Sequence, residues 1–260
     1  MSTSPETLSI LYQDENIIAI NKPTGLLVHR SPIDRHETRF AIQMLRDQIG
    51  QYVYPAHRLD KPTSGVLLFA LNSDMASQLA QAFQAHEVEK SYLAVLRGYC
   101  PNAGHIVHPL TEEPDKRIVR SKPTAPQDAI THFRRLATYE LDAHIETYPQ
   151  SRYSLVLAQP ITGRRHQLRR HFKHISHPII GDAKHGRGRH NRYFAEQLAC
   201  PRLLLHALHL RLVHPLSKQE IRLQAPLDQP FTELIKRFSW EKTSLQNCKL
   251  ERLLNYNLHA

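Results

Sequence analysis

The block His57-Arg58-Leu59-Asp60-Lys61-Pro62-Thr63-Ser64-Gly65 sets a carboxylate two residues from an arginine, in a Pro/Gly loop that feeds the apolar run Val66-Leu67-Leu68. A carboxylate held at the mouth of a strand can serve as nucleophile or base. The same residue types also build ordinary turns, so the block alone leaves both readings open. A second block is Thr162-Gly163-Arg164-Arg165-His166-Gln167-Leu168-Arg169. Gly163 allows close backbone approach. An arginine at a helix start can orient a carboxylate from elsewhere and keep it ionised, because guanidinium stays charged and binds bidentately. Such arginines can equally do no more than touch phosphates. Ser64 lacks the Gly-x-Ser-x-Gly elbow of a hydrolase and is assigned, with Thr63, to shaping the loop around Asp60. The histidines at 166, 171, 174 and 177 depart from zinc-ligand spacing, so no metal is expected.

The elements that must position these groups follow from periodicity. Leu8–Tyr12 and Asn16–Asn21 read as short strands around a turn, and Lys22-Pro23-Thr24-Gly25 breaks the pattern. Phe40–Ile49 has helical apolar spacing. Gly65–Leu71 reads as a strand buried on both faces. Ser73 can cap a helix with the stripe Ala76, Leu79, Ala80 and Phe83. Ser91–Leu96 is a further strand, and residues 100–128 read as a long irregular excursion. Strands resume at Ile130–Arg135 and Tyr153–Leu157. A helix is expected over Arg164–Ile175, with Leu168, Phe172 and Ile175 inward and Arg165 and Arg169 on one basic face. His-Pro and Gly-Asp turns come next. Leu203–Val213 and Glu220–Leu223 read as strands, and Phe231–Phe238 as a helix. Strands without regular helix alternation predict an α+β fold with a mixed, mostly antiparallel sheet flanked by helices. One domain over residues 8–240 is the simplest reading, followed by a tail, 241–260, with possible helix formation at Leu250–Leu254.

Charge narrows the partners. The chain of 260 residues carries a net +10, and residues 164–192 hold nine Lys/Arg against one acid, Asp182. Charge so concentrated suits a polyphosphate, since releasing counterions drives binding, although a solvated basic face is the plainer alternative. No apolar run approaches membrane-spanning length, and the first residues lack signal-peptide features, so a cytoplasmic protein is expected. Cys100, Cys200 and Cys248 are odd in number and far apart, which predicts neither a disulfide framework nor a thiolate metal site. No P-loop or dinucleotide fingerprint is present.

Taken in order, these blocks resemble the RluA-type pseudouridine synthases over about residues 10–226. Asn21-Lys22-Pro23-x-Gly25 is similar to the family's first motif, and His57-Arg58-Leu59-Asp60-x-x-Thr63-Ser64-Gly65 to its catalytic motif. Lys90-x-Tyr92 stands where the family has its active-site tyrosine. Thr162-Gly163-Arg164-x-His166-Gln167-x-Arg169 is similar to the third motif, with Gly181-Asp182 and Leu205-His206-Ala207 following. A finer likeness lies in His29-Arg30-Ser31 and in His177-Pro178-Ile179-Ile180-Gly181-Asp182-x-Lys184-His185-Gly186 with Asn191-Arg192. It points to a branch of the family that acts on tRNA, at uridine 65 of certain tRNAs. About 20 residues precede Lys22, too few for the S4 domain of many relatives, so RNA binding is expected to rest on the catalytic domain's own basic surface.

What the resemblance implies is an isomerase without cofactor or metal, whose partner is tRNA. Uracil leaves the ribose, turns and rejoins through carbon. Asp60 is the essential carboxylate, as attacking group or as base, and must be ionised at neutral pH. Arg164 pairs with it, and a neighbouring cation lowers a carboxylate pKa. Tyr92 stacks on the uracil and is a candidate to help the proton leave C5 of the rotated base. A base in a stem must leave the stack to be reached, and Arg58 is the candidate to fill the space or to touch phosphate. Lys22 supports the Asp60 loop or touches phosphate, and His57 is a further RNA-facing candidate. Arg165, Arg169, Arg170, Lys173, Lys184, Arg187, Arg189 and Arg192 are candidate backbone contacts, which position RNA without reading bases. Nothing suggests an interface, so a monomer is expected.

Overall fold

A computed structural model describes residues 7–30, 36–111 and 125–240. In chain order the elements are β1 (Ser9–Gln13), β2 (Ile17–Lys22), α1 (Ala41–Ile49), β3 (Tyr54–Pro55), β4 (Ser64–Ala70), α2 (Ser73–Gln84), β5 (Glu89–Arg97) and β6 (Ala103–Val107). They continue with β7 (Ile130–Leu141), β8 (Ser151–Pro160), α3 (Gln167–His174), α4 (Gly188–Gln197), β9 (Leu205–Val213), β10 (Glu220–Gln224) and α5 (Gln229–Arg237). The strand pairing is mixed and mostly antiparallel, as the sequence predicts, and five helices lie among the described residues. The chain divides into two compact units: Met1–Ser91 with His206–Pro226, and Tyr92–Leu205 with Leu227–Ala260.

In the first unit the strand order is β1-β2-β4-β9, with β10 beside β9 and β3 beside β4. All seven residues of β4 are buried, so its apolar sequence needs no alternation. β2 lies antiparallel to it, Lys22 opposite Gly65, and β9 lies parallel, Ser64 opposite His206. The core gathers Val66 and Leu68 of β4 with Met75 and Leu79 of α2 and Leu210 and Leu212 of β9. α2 is capped by Asn72, whose side chain accepts the Met75 amide at 2.8 Å. The expected cap, Ser73, is instead the first helical residue, because the amide side chain one position earlier reaches the open N–H. Ala80, expected on the buried stripe, is exposed, and Met75 takes the inward place.

In the second unit the order is β5-β8-β7-β6, all antiparallel. Alternation along β8 divides its faces. Val156 and Ala158 pack with Leu168 and Phe172 of α3. Tyr153 points the other way, its ring 4.9 Å from Phe194 of α4 and stacked near Phe238, which meets Trp240 edge-on. Several elements differ from expectation. The 100–128 excursion contains β6, an end strand of this order with mostly exposed side chains, which gives no apolar alternation to read. α4 follows the Gly-Asp turn and begins without a side-chain cap, on Gly188 and three arginines, so it carries no start signal. α3 begins at Gln167 and not at Arg164, because His166 is left-handed, at φ 55°. Residues 112–124 and the tail 241–260, with the expected Leu250–Leu254 helix, lie outside the described residues.

Candidate active site

Asp60 stands in the first unit at the head of a tight turn in which the Thr63 amide donates to the Asp60 carbonyl at 3.0 Å. The turn is held along its length. Lys61 gives its carbonyl to the Gly25 amide at 2.9 Å, and Pro62 gives its carbonyl to the Thr24 hydroxyl at 2.8 Å. Lys22, fully buried, places its ammonium on the carbonyls of Pro23, Leu26 and Lys61 at 2.9, 2.8 and 3.2 Å. Of the two roles the sequence left open for Lys22, this geometry is loop support: a buried ammonium is tolerable only when its donors are satisfied. Leu59 is buried beside Asp60, while Asp60 itself is half-buried and Arg58 is exposed.

His57 opens the loop. Its ring stacks on Phe83, centroids 4.9 Å apart, and its Nε2 accepts the Leu68 amide at 3.1 Å. Burial, with the Lys90 ammonium adding to it, pushes its pKa down to about 3, so the ring is neutral and fixed. These contacts make His57 an anchor of the loop. Lys90 is itself pushed down to about 8 by burial. At the loop's exit, Gly65 has φ +110°, and a Cβ there would lie 2.1 Å from the Ala207 carbonyl oxygen, so only glycine fits.

The second unit holds Tyr92, half-buried on β5 opposite Ala158 and packed against the apolar core of that unit. It also holds Arg164, exposed before α3, whose Nε donates to the Asp128 carbonyl at 3.0 Å. The residue that fixes the Arg164 backbone is Gln167, to which the sequence reading gave no role. Its Oε1 accepts from the Thr162 hydroxyl and the Arg164 amide at 2.7 and 2.9 Å, and its Nε2 donates to the Ile130 carbonyl and Thr131 hydroxyl at 2.9 and 3.0 Å. The available signal was a glutamine beside Leu168 at a helix start with no capping residue.

Among the expected RNA contacts of this unit, Arg165, Lys173, Lys184, Arg187, Arg189 and Arg192 are exposed, and Arg170 is half-buried. Arg169 is not among them. Its side chain is buried, and Nε and Nη2 donate to the two carboxylate oxygens of Asp182 at 2.7 and 2.8 Å. Burial raises the Asp182 carboxyl, but the Arg169 guanidinium and the backbone amides of His185 and Lys184 more than offset this, leaving it below the ordinary aspartate value. The i, i+4 spacing placed Arg165 and Arg169 together, but Arg165 precedes the helix and Arg169 turns inward to the one acid of the basic stretch. His171 is likewise interior, bonded to Thr131 and to the His108 carbonyl at 3.0 and 3.1 Å. Among the described residues no group of three or more His, Cys, Asp or Glu could hold a metal ion. No helix among them is long and apolar enough to cross a membrane.

Comparison with known proteins gives a consistent set. The family described as RNA pseudouridylate synthase matches residues 16–174. A protein of Vibrio vulnificus named tRNA pseudouridine synthase C is 49% identical over 240 residues, 92% of this chain and 98% of that one. A Pasteurella multocida protein of the same name is 50% identical over 241 residues, 92% of this chain and 99% of that one. Among solved structures, Human RNA Pseudouridylate Synthase Domain Containing 1 is similar at a TM-score of 0.64 and 26% identity, covering 92% of this chain and 97% of that chain. A match over more than half of the sequence, and near 50% identity over almost all of it, place the chain in a family: it belongs to the RNA pseudouridylate synthases.

Proposed function

We propose that the protein is an RluA-type tRNA pseudouridine synthase that isomerises uridine 65 of certain tRNAs, with Asp60 as its essential carboxylate. The observation that carries the reading is the Asp60 turn. Within the nine-residue block the Lys61 carbonyl is held by Lys22 and Gly25, the Pro62 carbonyl by Thr24 and the His57 ring by the Leu68 amide, while Asp60 stays half-exposed. Holding a reacting group in one place lowers the cost of reaching the transition state. The names of the relatives point to tRNA as the substrate class.

In the proposed reaction the target base leaves the stack. The bond between C1′ and N1 breaks and a bond between C1′ and C5 forms. The proton on C5 departs and N1 gains one, so no redox change and no outside energy source is required. Tyr92 and Arg164 keep the roles the family resemblance implies, stacking on uracil and supplying a fixed positive charge. The exposed cations of the second unit neutralise phosphates. The protein works as a cytoplasmic monomer, without cofactor or metal, residues 8–240 forming its catalytic domain and 241–260 a tail.

The test is incubation of the purified protein with unmodified tRNA transcripts, followed by chemical-adduct mapping of pseudouridine, with Asp60→Ala and a transcript carrying cytidine at position 65 in parallel. The expected result is one new pseudouridine at position 65, absent in both controls. Product on ribosomal RNA alone would overturn the substrate. Full activity of Asp60→Ala would overturn the role of the carboxylate.

A further inference from the structure

The Asp60 turn is anchored from the N-terminal side by residues 22–25, and a second anchor holds its exit. Ser64, four residues beyond Asp60, lies with its Oγ 2.7 Å from Nδ1 of His206, and Nε2 of His206 lies 3.1 Å from the Ala225 carbonyl oxygen. A carbonyl oxygen only accepts, so Nε2 carries the ring proton. Nδ1 is then the bare acceptor, and the Ser64 hydroxyl donates to it. Ser64 is 2% exposed and His206 1%, so this hydroxyl is out of reach of any substrate and is no nucleophile. The two residues are also paired through their backbones, in the parallel contact of β4 with β9, and the next pair, Gly65 and Ala207, is in tight backbone contact.

We infer that His206 is a positioning residue for the reaction: its neutral, Nε2-protonated ring ties Ser64, and through it the Asp60 turn, to the start of β9 and the end of β10. The inference rests on Asp60 being the essential carboxylate. Its physical content is that a buried hydroxyl without its acceptor must find another or remain unsatisfied. The residue that would move to relieve this is the first of β4, from which the Asp60–Thr63 turn hangs.

Two substitutions divide the ring's two bonds. His206→Asn keeps an acceptor near the position of Nδ1 and loses the bond to Ala225. His206→Gln keeps a donor near the position of Nε2 and loses the acceptor for Ser64. In the full-length protein, with pseudouridine formation on tRNA as the readout, His206→Gln is expected to lower kcat about 10- to 100-fold with KM for tRNA unchanged, the size expected when a reacting group is misplaced by an ångström or less. His206→Asn is expected to stay within about threefold of the parent, and in a Ser64→Ala background the two variants should become equal. Equal kcat for the Asn and Gln variants in the parent background, or a Gln variant that changes KM alone, would overturn the inference. If circular dichroism shows both variants unfolded, Ser64→Thr against Ser64→Ala decides: retained kcat in the first and loss in the second support the anchor, and equal values overturn it. Asp60→Ala separates the two levels. Activity surviving in Asp60→Ala removes the underlying reading, whereas a dead Asp60→Ala beside a fully active His206→Gln removes only the anchor.

Discussion

Arg169 grips Asp182 with two parallel N–H bonds of 2.7 and 2.8 Å inside the second unit, and the carboxylate takes two further bonds, from the backbone amides of Lys184 and His185. Removing one partner strands a buried charge. Arg169→Ala is expected to cost about 3–5 kcal/mol, a fall in Tm of roughly 6–20 °C, measured by calorimetry at pH 7. Because the Asp182 pKa is depressed on folding, its contribution is complete above about pH 4 and is lost as pH falls through the lower folded value. An unchanged Tm in Arg169→Ala would mean that the pair adds nothing net.

Arg165, exposed and four positions earlier, should behave in the opposite way. Arg165→Ala is expected to leave Tm unchanged and to reduce the slope of log K for tRNA against log salt by about 1, one phosphate contact. Filter binding across a salt series reads it, and an unaltered slope would remove Arg165 from the interface.

With the role proposed for Arg164, a fixed cation acting mainly in the transition state, Arg164→Ala is expected to reduce kcat far more than tRNA affinity, by about 10²-fold or more. Single-turnover rates beside binding constants test this. Equal losses in both would make Arg164 a binding residue only.

Acid should weaken the fold from an early point. Burial and the Lys90 charge hold the His57 ring down to about 3, and burial, outweighing the hydrogen bond to the His108 carbonyl and aided by the His108, His174 and Arg170 charges, holds the His171 ring down to about 4. Between those values and about pH 6.5 the unfolded chain binds protons that the folded chain refuses, so stability is present at neutral pH and falls as pH falls through this window. Thermal melts from pH 7.5 to 5 should show a declining Tm, and histidine NMR should show both rings still neutral at pH 5.5. A protonated His57 at that pH would contradict the stack on Phe83 and the bond from the Leu68 amide.

Gly65→Ala is expected to destabilise the first unit by about 1–3 kcal/mol or more, because the new methyl would meet the Ala207 carbonyl and the backbone lies in a region that favours glycine. Urea unfolding with an unchanged midpoint would show that β9 can retreat without cost.

What could be read from the sequence depended on whether a residue's chemistry and its direction coincide. β4 was legible because a strand buried on both faces is apolar throughout, and the Asp60 block because its Pro, Thr, Ser and Gly form one compact turn. Arg169 was misplaced because periodicity tells which residues share a face and not which face is inside. The useful sign was the single acid, Asp182, among nine cations, a pattern that calls for an interior partner. Gln167 and His206 stand in the motifs with no role that the sequence alone assigns, since their work lies in bonds to residues 36 and 142 positions away, which no local spacing encodes. α4 and β6 lacked a capping residue and apolar alternation, respectively, so nothing local marked them.

The parallel contact between Ser64 and His206 also bears on synthesis. The two residues are 142 positions apart, so at about 5–20 residues per second a ribosome needs roughly 7–30 s to deliver the second after the first. Throughout that interval β4 has β2 along one side and bare amides and carbonyls along part of the other. A growing chain stalled before β9 emerges would carry the whole Asp60 block and yet lack the residues that pair with Ser64 and Gly65. Translation through the codons for residues 205–213 therefore delivers the strand on which the exit of the Asp60 turn comes to rest.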